Sequence, residues 1–259
     1  MLARRLEATE GRGNAAFVEA MAARDPNSGA IWKSIGGTLA MFAGVGSPLT
    51  QTFGLGIHAP LTTADLDAIE RFFQTRGSRV FHEVCPLGGV EVSALLVARG
   101  YKPAEMSSVL FRPLEGGAPE PAAQANLRVR RVDRTEGDLY ARIAGQGWSE
   151  SPEVRPFIEG FAHISVARAT CFIAELEGTP IATAALFMHE GVALLAGAST
   201  VPGGRRHGAQ SALLDTRLRS AASSGCDLAM MCAAPGTASQ RNAERNGFHV
   251  AYTRTKWEL

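Results

Sequence analysis

Hydrophobic and polar positions along the chain switch between two periods. From 192 to 200 the residues Val-Ala-Leu-Leu-Ala-Gly-Ala-Ser-Thr form an apolar run of strand length, and past a glycine-rich loop Leu214 and Leu218 mark one face of a helix. Comparable runs predict strands at Thr38 to Val45, Gln51 to Gly56, Val80 to Cys85, Met106 to Arg112, Leu127 to Val132, Cys171 to Leu176, Pro180 to Met188, Asp227 to Ala234 and His249 to Leu259. The 3.6-residue period predicts helices at Thr63 to Gly77, with Leu66, Ile69, Phe72 and Phe73 inward, at Val90 to Arg99, Arg134 to Ala144, Pro152 to Ala167 and Thr237 to Asn246. Leu2 to Arg24 is also helical in pattern, interrupted at Gly11-Arg12-Gly13. Strands and helices interleave throughout, which defines an α/β (α+β) chain.

One succession occurs twice. Strand, helix, Gly100-Tyr101, strand recurs as strand, helix, Gly247-Phe248, strand. The stretch 113–124 has too few large apolar residues to pack and reads as a linker. This gives two similar domains, 1–114 and 127–259, joined by 115–126. A length of 259 residues accommodates both.

Composition narrows the function classes. Net charge +1 with 20% charged residues argues against a general nucleic-acid or membrane-surface role, and no apolar stretch is long enough to span a bilayer. A cytoplasmic location is expected. Cys85, Cys171, Cys226 and Cys232 form no C-x-x-C pair, so neither a metal nor a disulfide is assigned to them.

Basic character is local to the loop Val201-Pro202-Gly203-Gly204-Arg205-Arg206-His207-Gly208. A helix start carries free amides and partial positive charge, glycines let a bulky ligand approach, and the arginines add full charge: together they suit a phosphate or pyrophosphate. The loop matches neither the nucleotide-hydrolysing P-loop nor the dinucleotide fingerprint. Taken alone, it is equally readable as a solvated turn.

Arg205-Arg206-His207-Gly208-Ala209, with Gln210 where Gly or Ala is usual, resembles the R/Q-x-x-G-x-G/A motif of the GNAT superfamily of acyl-CoA-dependent N-acyltransferases, and Gly247-Phe248 resembles the pair that closes its last helix. The resemblance implies two GNAT-like domains, each a mixed, mostly antiparallel sheet flanked by helices, with acetyl-CoA as co-substrate, no metal, and a small-molecule amine as acceptor. A homodimer is left open. It implies that Ser199, Thr200 and Val201 offer backbone partners to pantetheine, that the segment Arg205, Arg206, His207, Gly208, Ala209, Gln210 and Ser211 holds the pyrophosphate, and that Ser239, Arg241 and Asn242 flank the acyl arm. The acceptor pocket would lie among Gly145 to Pro156, His189-Glu190 and the N-terminal half, with Trp148 as one wall. In the N-terminal half, Gly56-Ile57-His58-Ala59-Pro60-Leu61-Thr62 lacks basic side chains apart from His58, so that half reads as a degenerate copy.

Catalytic residues are less legible. Ala243 stands where the family often has an acid-supplying Tyr, and 192–200 contains no carboxylate base. Glu175, Glu190 and Tyr252 are the remaining candidates. Two functions follow: an acetyltransferase acting by direct attack of the amine, or an acyl-CoA-binding module that senses without turnover.

Overall fold

The computed structural model describes residues 2–114, 126–150 and 153–259. In chain order the elements are α1 (Leu2–Arg24), β1 (Ile31–Ile35), β2 (Thr38–Phe42), β3 (Gln51–Phe53), α2 (Thr63–Gln74), β4 (Phe81–Val84), α3 (Val90–Ala98), β5 (Lys102–Pro113), β6 (Leu127–Arg131), α4 (Gly137–Gln146), α5 (Arg155–Arg168), β7 (Thr170–Leu176), β8 (Thr179–His189), β9 (Val192–Thr200), α6 (Ala209–Ser223), β10 (Leu228–Ala233), α7 (Ala238–Arg245) and β11 (His249–Glu258). Two compact units result: 1–112 with 230–259, and 113–229.

In the first unit neighbouring strands run β1-β2-β3-β4-β11-β5, antiparallel except for β3 against β4. Its core gathers Leu66, Ile69, Phe72 and Phe73 from α2 with Phe42, Leu55, Val84, Leu96 and Tyr101. Burying that inward face, as its spacing predicts, removes apolar surface worth roughly 25 cal/mol per Å². The second unit is an antiparallel sheet β9-β8-β7-β6. Tyr140, Ala141 and Ala144 of α4 and Ala162 and Val166 of α5 pack on Cys171, Ile173 and Ala185. Mixed α/β architecture with mostly antiparallel sheets is thus the observed fold class.

Three sequence expectations change. Helix α1 is continuous through Gly11-Arg12-Gly13. A Cβ at Gly11 would lie 3.0 Å from Leu39 Cδ1 and 3.3 Å from Phe53 Cβ, so the glycine lets the helix press on the sheet, and tertiary packing overrides poor helix propensity. The strand expected over Gln51 to Gly56 ends at Phe53, because Gly54 and Gly56 both take positive φ. The division at 114 and 127 also differs from the compact units: β11, last in the chain, is hydrogen-bonded on both sides by strands of the first unit, β4 and β5. Of the expected linker, 115–125 lies outside the described residues, as do 151 and 152 of the expected acceptor loop.

Candidate cofactor site in the second unit

The site begins at the end of β9. Past Thr200 the chain makes a single 3-10 turn, Pro202–Gly204, which seats Gly204 against β8; a Cβ there would lie 2.7 Å from Ile181 Cβ. Arg206 then takes φ 66 and Gly208 φ 75, two left-handed residues that turn the chain into α6. Left-handed backbone is cheap for glycine and costs an arginine about 1 kcal/mol or more, the sort of strain found at binding loops.

Helix α6 starts bare. Its N-cap is Gly208, no side chain caps it, and its first turn carries no acid. The first amides of a 15-residue helix therefore face outward, with the positive end of the helix dipole behind them. A cavity of about 210 Å³ lies over them, lined by Thr200, Arg205, Arg206, Gly208, Gln210 and Ser211 among others. A second, of about 440 Å³, is lined by Gly147, Trp148, Glu150, Ala198, Ser199, Thr200, Arg205 and Gln210.

Several expected cofactor residues meet here and several are otherwise engaged. Gln210 Nε2 donates to Thr200 Oγ1 at 2.6 Å, which fastens the first turn of α6 to the strand end and accounts for an amide side chain at this motif position. Ser199 is buried and its Oγ donates to the Ala144 carbonyl at 2.9 Å, so its hydroxyl is spent on α4. The Val201 amide donates to the Ile181 carbonyl at 2.9 Å and is not free for a ligand. His207 is exposed on the loop. Ser239, Arg241 and Asn242 lie on α7 in the first unit; Arg241 Nη1 donates to the Gly236 carbonyl at 2.5 Å.

Two features were not anticipated. Glu150 holds Arg205 in a fork, with Nη1 to Oε1 at 3.1 Å and Nη2 to Oε2 at 2.7 Å. This pair keeps the arginine pKa raised and the carboxyl pKa lowered, mainly through the hydrogen bonds between them. The pair is exposed and screened by solvent, so a phosphate can take the arginine over. The second feature is a bulge in β9. Thr183 pairs with Ser199 but Ala185 with Ala196, so Ala184 faces two residues, Gly197 and Ala198, and Gly197 adopts φ 60. Ala196, Gly197 and Ala198 are exposed within an otherwise buried strand.

Arg217 of α6, 2% exposed, fixes this bulge from inside. Its Nη1 donates to the carbonyls of Ala185 (3.3 Å) and Ala196 (3.4 Å), and its Nε to the Leu213 carbonyl (3.2 Å). Burial lowers its pKa to about 10, which leaves it charged at neutral pH. An isolated glycine in a strand signals such a bulge, and an arginine within the Leu213, Leu214, Leu218 stripe signals its partner.

The catalytic candidates do not line either cavity. Glu175 Oε1 accepts from Arg130 Nε at 2.7 Å, and that same arginine is forked onto Glu136 at 2.8 Å twice. Glu190 sits in the β8-β9 turn at φ 44 with a largely exposed side chain. Tyr252 is buried in the first unit, donating to Glu7 Oε1 at 2.7 Å. Among the described residues no cluster suited to a metal occurs, no disulfide joins the four cysteines, and no helix is long and apolar enough to cross a membrane.

Comparison with known proteins agrees with this geometry. Residues 137–248 match the acetyltransferase (GNAT) family, a stretch that begins at α4 and ends at Gly247-Phe248. Among solved structures, the GCN5-related N-acetyltransferase from Kribbella flavida superposes with a TM-score of 0.67 at 20% identity, over 94% of this chain and 95% of that one. The GCN5-related N-acetyltransferase from Sphaerobacter thermophilus gives 0.62 at 14% identity, over 97% and 91%. A tandem GNAT protein from the clavulanic acid biosynthesis pathway gives 0.62 at 15%, over 87% and 78%. These likenesses establish the fold. A comparison with curated proteins gives no match.

Proposed function

We propose that the protein is an acetyl-CoA-dependent N-acetyltransferase that transfers the acetyl group to the amine of a small molecule by direct attack. The observation that carries this reading is the bare start of α6 opening on a cavity flanked by Arg205 and Arg206. Free amides, a helix dipole and two guanidiniums together form a pyrophosphate cradle. The exposed run Ala196-Gly197-Ala198 leads away from that cradle along β9, and its small side chains leave backbone open to a pantetheine arm. In the reaction the amine nitrogen bonds to the thioester carbonyl carbon, the carbon–sulfur bond breaks, and the amine proton passes through solvent as CoA leaves as thiolate. Holding the reactants in line supplies much of the acceleration.

Acetyl-CoA is expected to raise stability by about 2.7 kcal/mol at roughly 100 times its Kd, read as a thermal shift. Arg205→Glu should abolish most of that shift, and His58→Ala none of it. No shift with acetyl-CoA or CoA at millimolar concentration would end the proposal.

A second reading, acyl-CoA binding without turnover, is favoured by the positions of Glu175, Glu190 and Tyr252 away from the cavities. Turnover with any amine decides against it. In that event Glu175→Gln, Glu190→Gln and Tyr252→Phe should each lower kcat by less than about 10², since none is placed to act as acid or base.

A further inference from the structure

The second unit has another cavity, of about 290 Å³, where α5 runs into β7. Three arginines from three elements line it: Arg131 at the end of β6, Arg134 at the start of the 3-10 turn before α4, and Arg168 at the end of α5. All three are exposed, and among the described residues none of their guanidiniums has a hydrogen bond or ion pair. No carboxylate lines the cavity. The contrast with Arg130 is direct: one residue earlier on β6, it is tied to both Glu136 and Glu175.

The floor is apolar. Val132, Val166, Cys171 and Leu186 are buried beneath the arginines. Charge is nearly balanced over the whole chain, at net +1, so three unneutralised arginines around one hollow are a local excess. Like charges gathered in this way repel one another unless an anion joins them, and guanidinium forks match carboxylate and phosphate oxygens.

We infer that this cavity binds a small polyanion, phosphorylated or multiply carboxylated, as a second ligand separate from the acyl donor. Separation follows from the strand. Gly204 of the cofactor loop packs on Ile181, whereas the cavity takes Leu186, Phe187 and Met188 of the same β8, five to seven residues further along and so about 16–23 Å away at roughly 3.3 Å per residue. One pyrophosphate cannot serve both. The volume is near the lower end of that for small-molecule pockets, so a compact metabolite fits better than a polymer.

Calorimetric titration of the 259-residue chain with inorganic pyrophosphate and with citrate tests this. The Arg205→Glu variant is used so that the cofactor loop does not compete. At least one probe is expected to bind at a single site, and the triple variant Arg131→Ser, Arg134→Ser, Arg168→Ser should weaken it by about tenfold or more, with each single change giving a smaller loss. Preference for pyrophosphate assigns the phosphorylated class, and preference for citrate the carboxylated one. Acetyl-CoA binding, measured on protein with Arg205 intact, should be unaffected by the triple change. The arginines are exposed, so the variant is expected to keep its melting temperature; if it does not fold, the single variants carry the comparison. Failure of both probes to bind, or binding that the arginine variants leave unchanged, overturns the inference.

Discussion

Each unit starts a helix just after a strand and a loop, and each buries one arginine, yet the two make opposite use of both. In the first unit α2 is closed by its own side chains: Thr62 Oγ1 accepts from the Asp65 amide at 3.1 Å, and Asp65 Oδ2 accepts from the Thr62 amide at 3.2 Å. The loop before it has collapsed inward, with Leu55 and Ile57 buried and the Ile57 carbonyl accepting from Arg4 Nε. A carboxylate already occupies the place an anion would take. In the second unit Gly208 and Ser211 stand at the corresponding positions of α6 and leave the amides open. A capping box stabilises a helix, and omitting it leaves a binding site.

The arginines differ in the same sense. Arg254 of β11 is 3% exposed and surrounded by carboxyls: both Nη atoms fork onto Glu10 at 2.7 Å, Nε lies 2.9 Å from Glu83, and Glu7 is 3.7 Å away. Cys232 donates to the same Glu10, its pKa raised by burial. Arg217 has only carbonyls. The first cluster is a closed core of paired charges, whereas the second charge sits beneath the exposed bulge of β9.

The largest expected effect comes from breaking the closed cluster. Arg254→Met leaves Glu7 and Glu10 without their cation and Glu83 with Lys256 alone, and should cost about 3–5 kcal/mol in urea unfolding at pH 8, with part of the loss recovered at pH 5 where the acids protonate. A cost below about 1 kcal/mol would show that the cluster does not hold the first unit together.

Next is the exchange of cap chemistry. Ser211→Asp gives α6 the acid that α2 has, and acetyl-CoA affinity should fall by about 10–100-fold with the melting temperature unchanged or higher. Unchanged affinity would mean that the α6 amides are not the cradle.

Glu7 gives a pH dependence of similar or smaller size. Burial is the main cause that raises its pKa from 4.5 to about 7, with Arg254 opposing. A raised carboxyl pKa favours the protonated form, so its stabilisation is complete below pH 4.5 and is lost as pH rises through about 7. Glu7→Gln, neutral at every pH, should therefore gain on the wild type by about 1–3 kcal/mol between pH 5 and pH 8 in paired denaturation curves. Parallel pH profiles would contradict this.

The smallest effect concerns the fork over the cavity. Glu150→Gln releases Arg205 and should tighten acetyl-CoA by about two- to fivefold, with a steeper dependence on salt. Weaker binding would show that Glu150 orients the arginine for the ligand instead of competing for it.

Much of the site was legible from residue order, because its parts are local. Glycine spacing, the basic pair and the leucine stripe of α6 are neighbours in sequence, and β9 was found at Val192–Thr200, its full extent. Glu150 was not, since nothing short-range connects it to Arg205, 55 positions away. Nor was the commitment of the Val201 amide to Ile181, which depends on how β8 and the loop meet.

The sequence alone determined the order of elements, the inward faces of α2 and α6, and the contrast between a basic loop at 204–208 and an apolar one at 54–62, all of which follow from periodicity and residue chemistry within a few turns. Tertiary structure alone decided that β11 joins the strands of the first unit, that α1 runs through its glycines, and that Glu7, Glu10, Glu83 and Arg254 meet in one buried cluster. Those outcomes depend on strand pairing and on the burial of charges far apart in the chain. Their energy comes from contacts that no local pattern encodes.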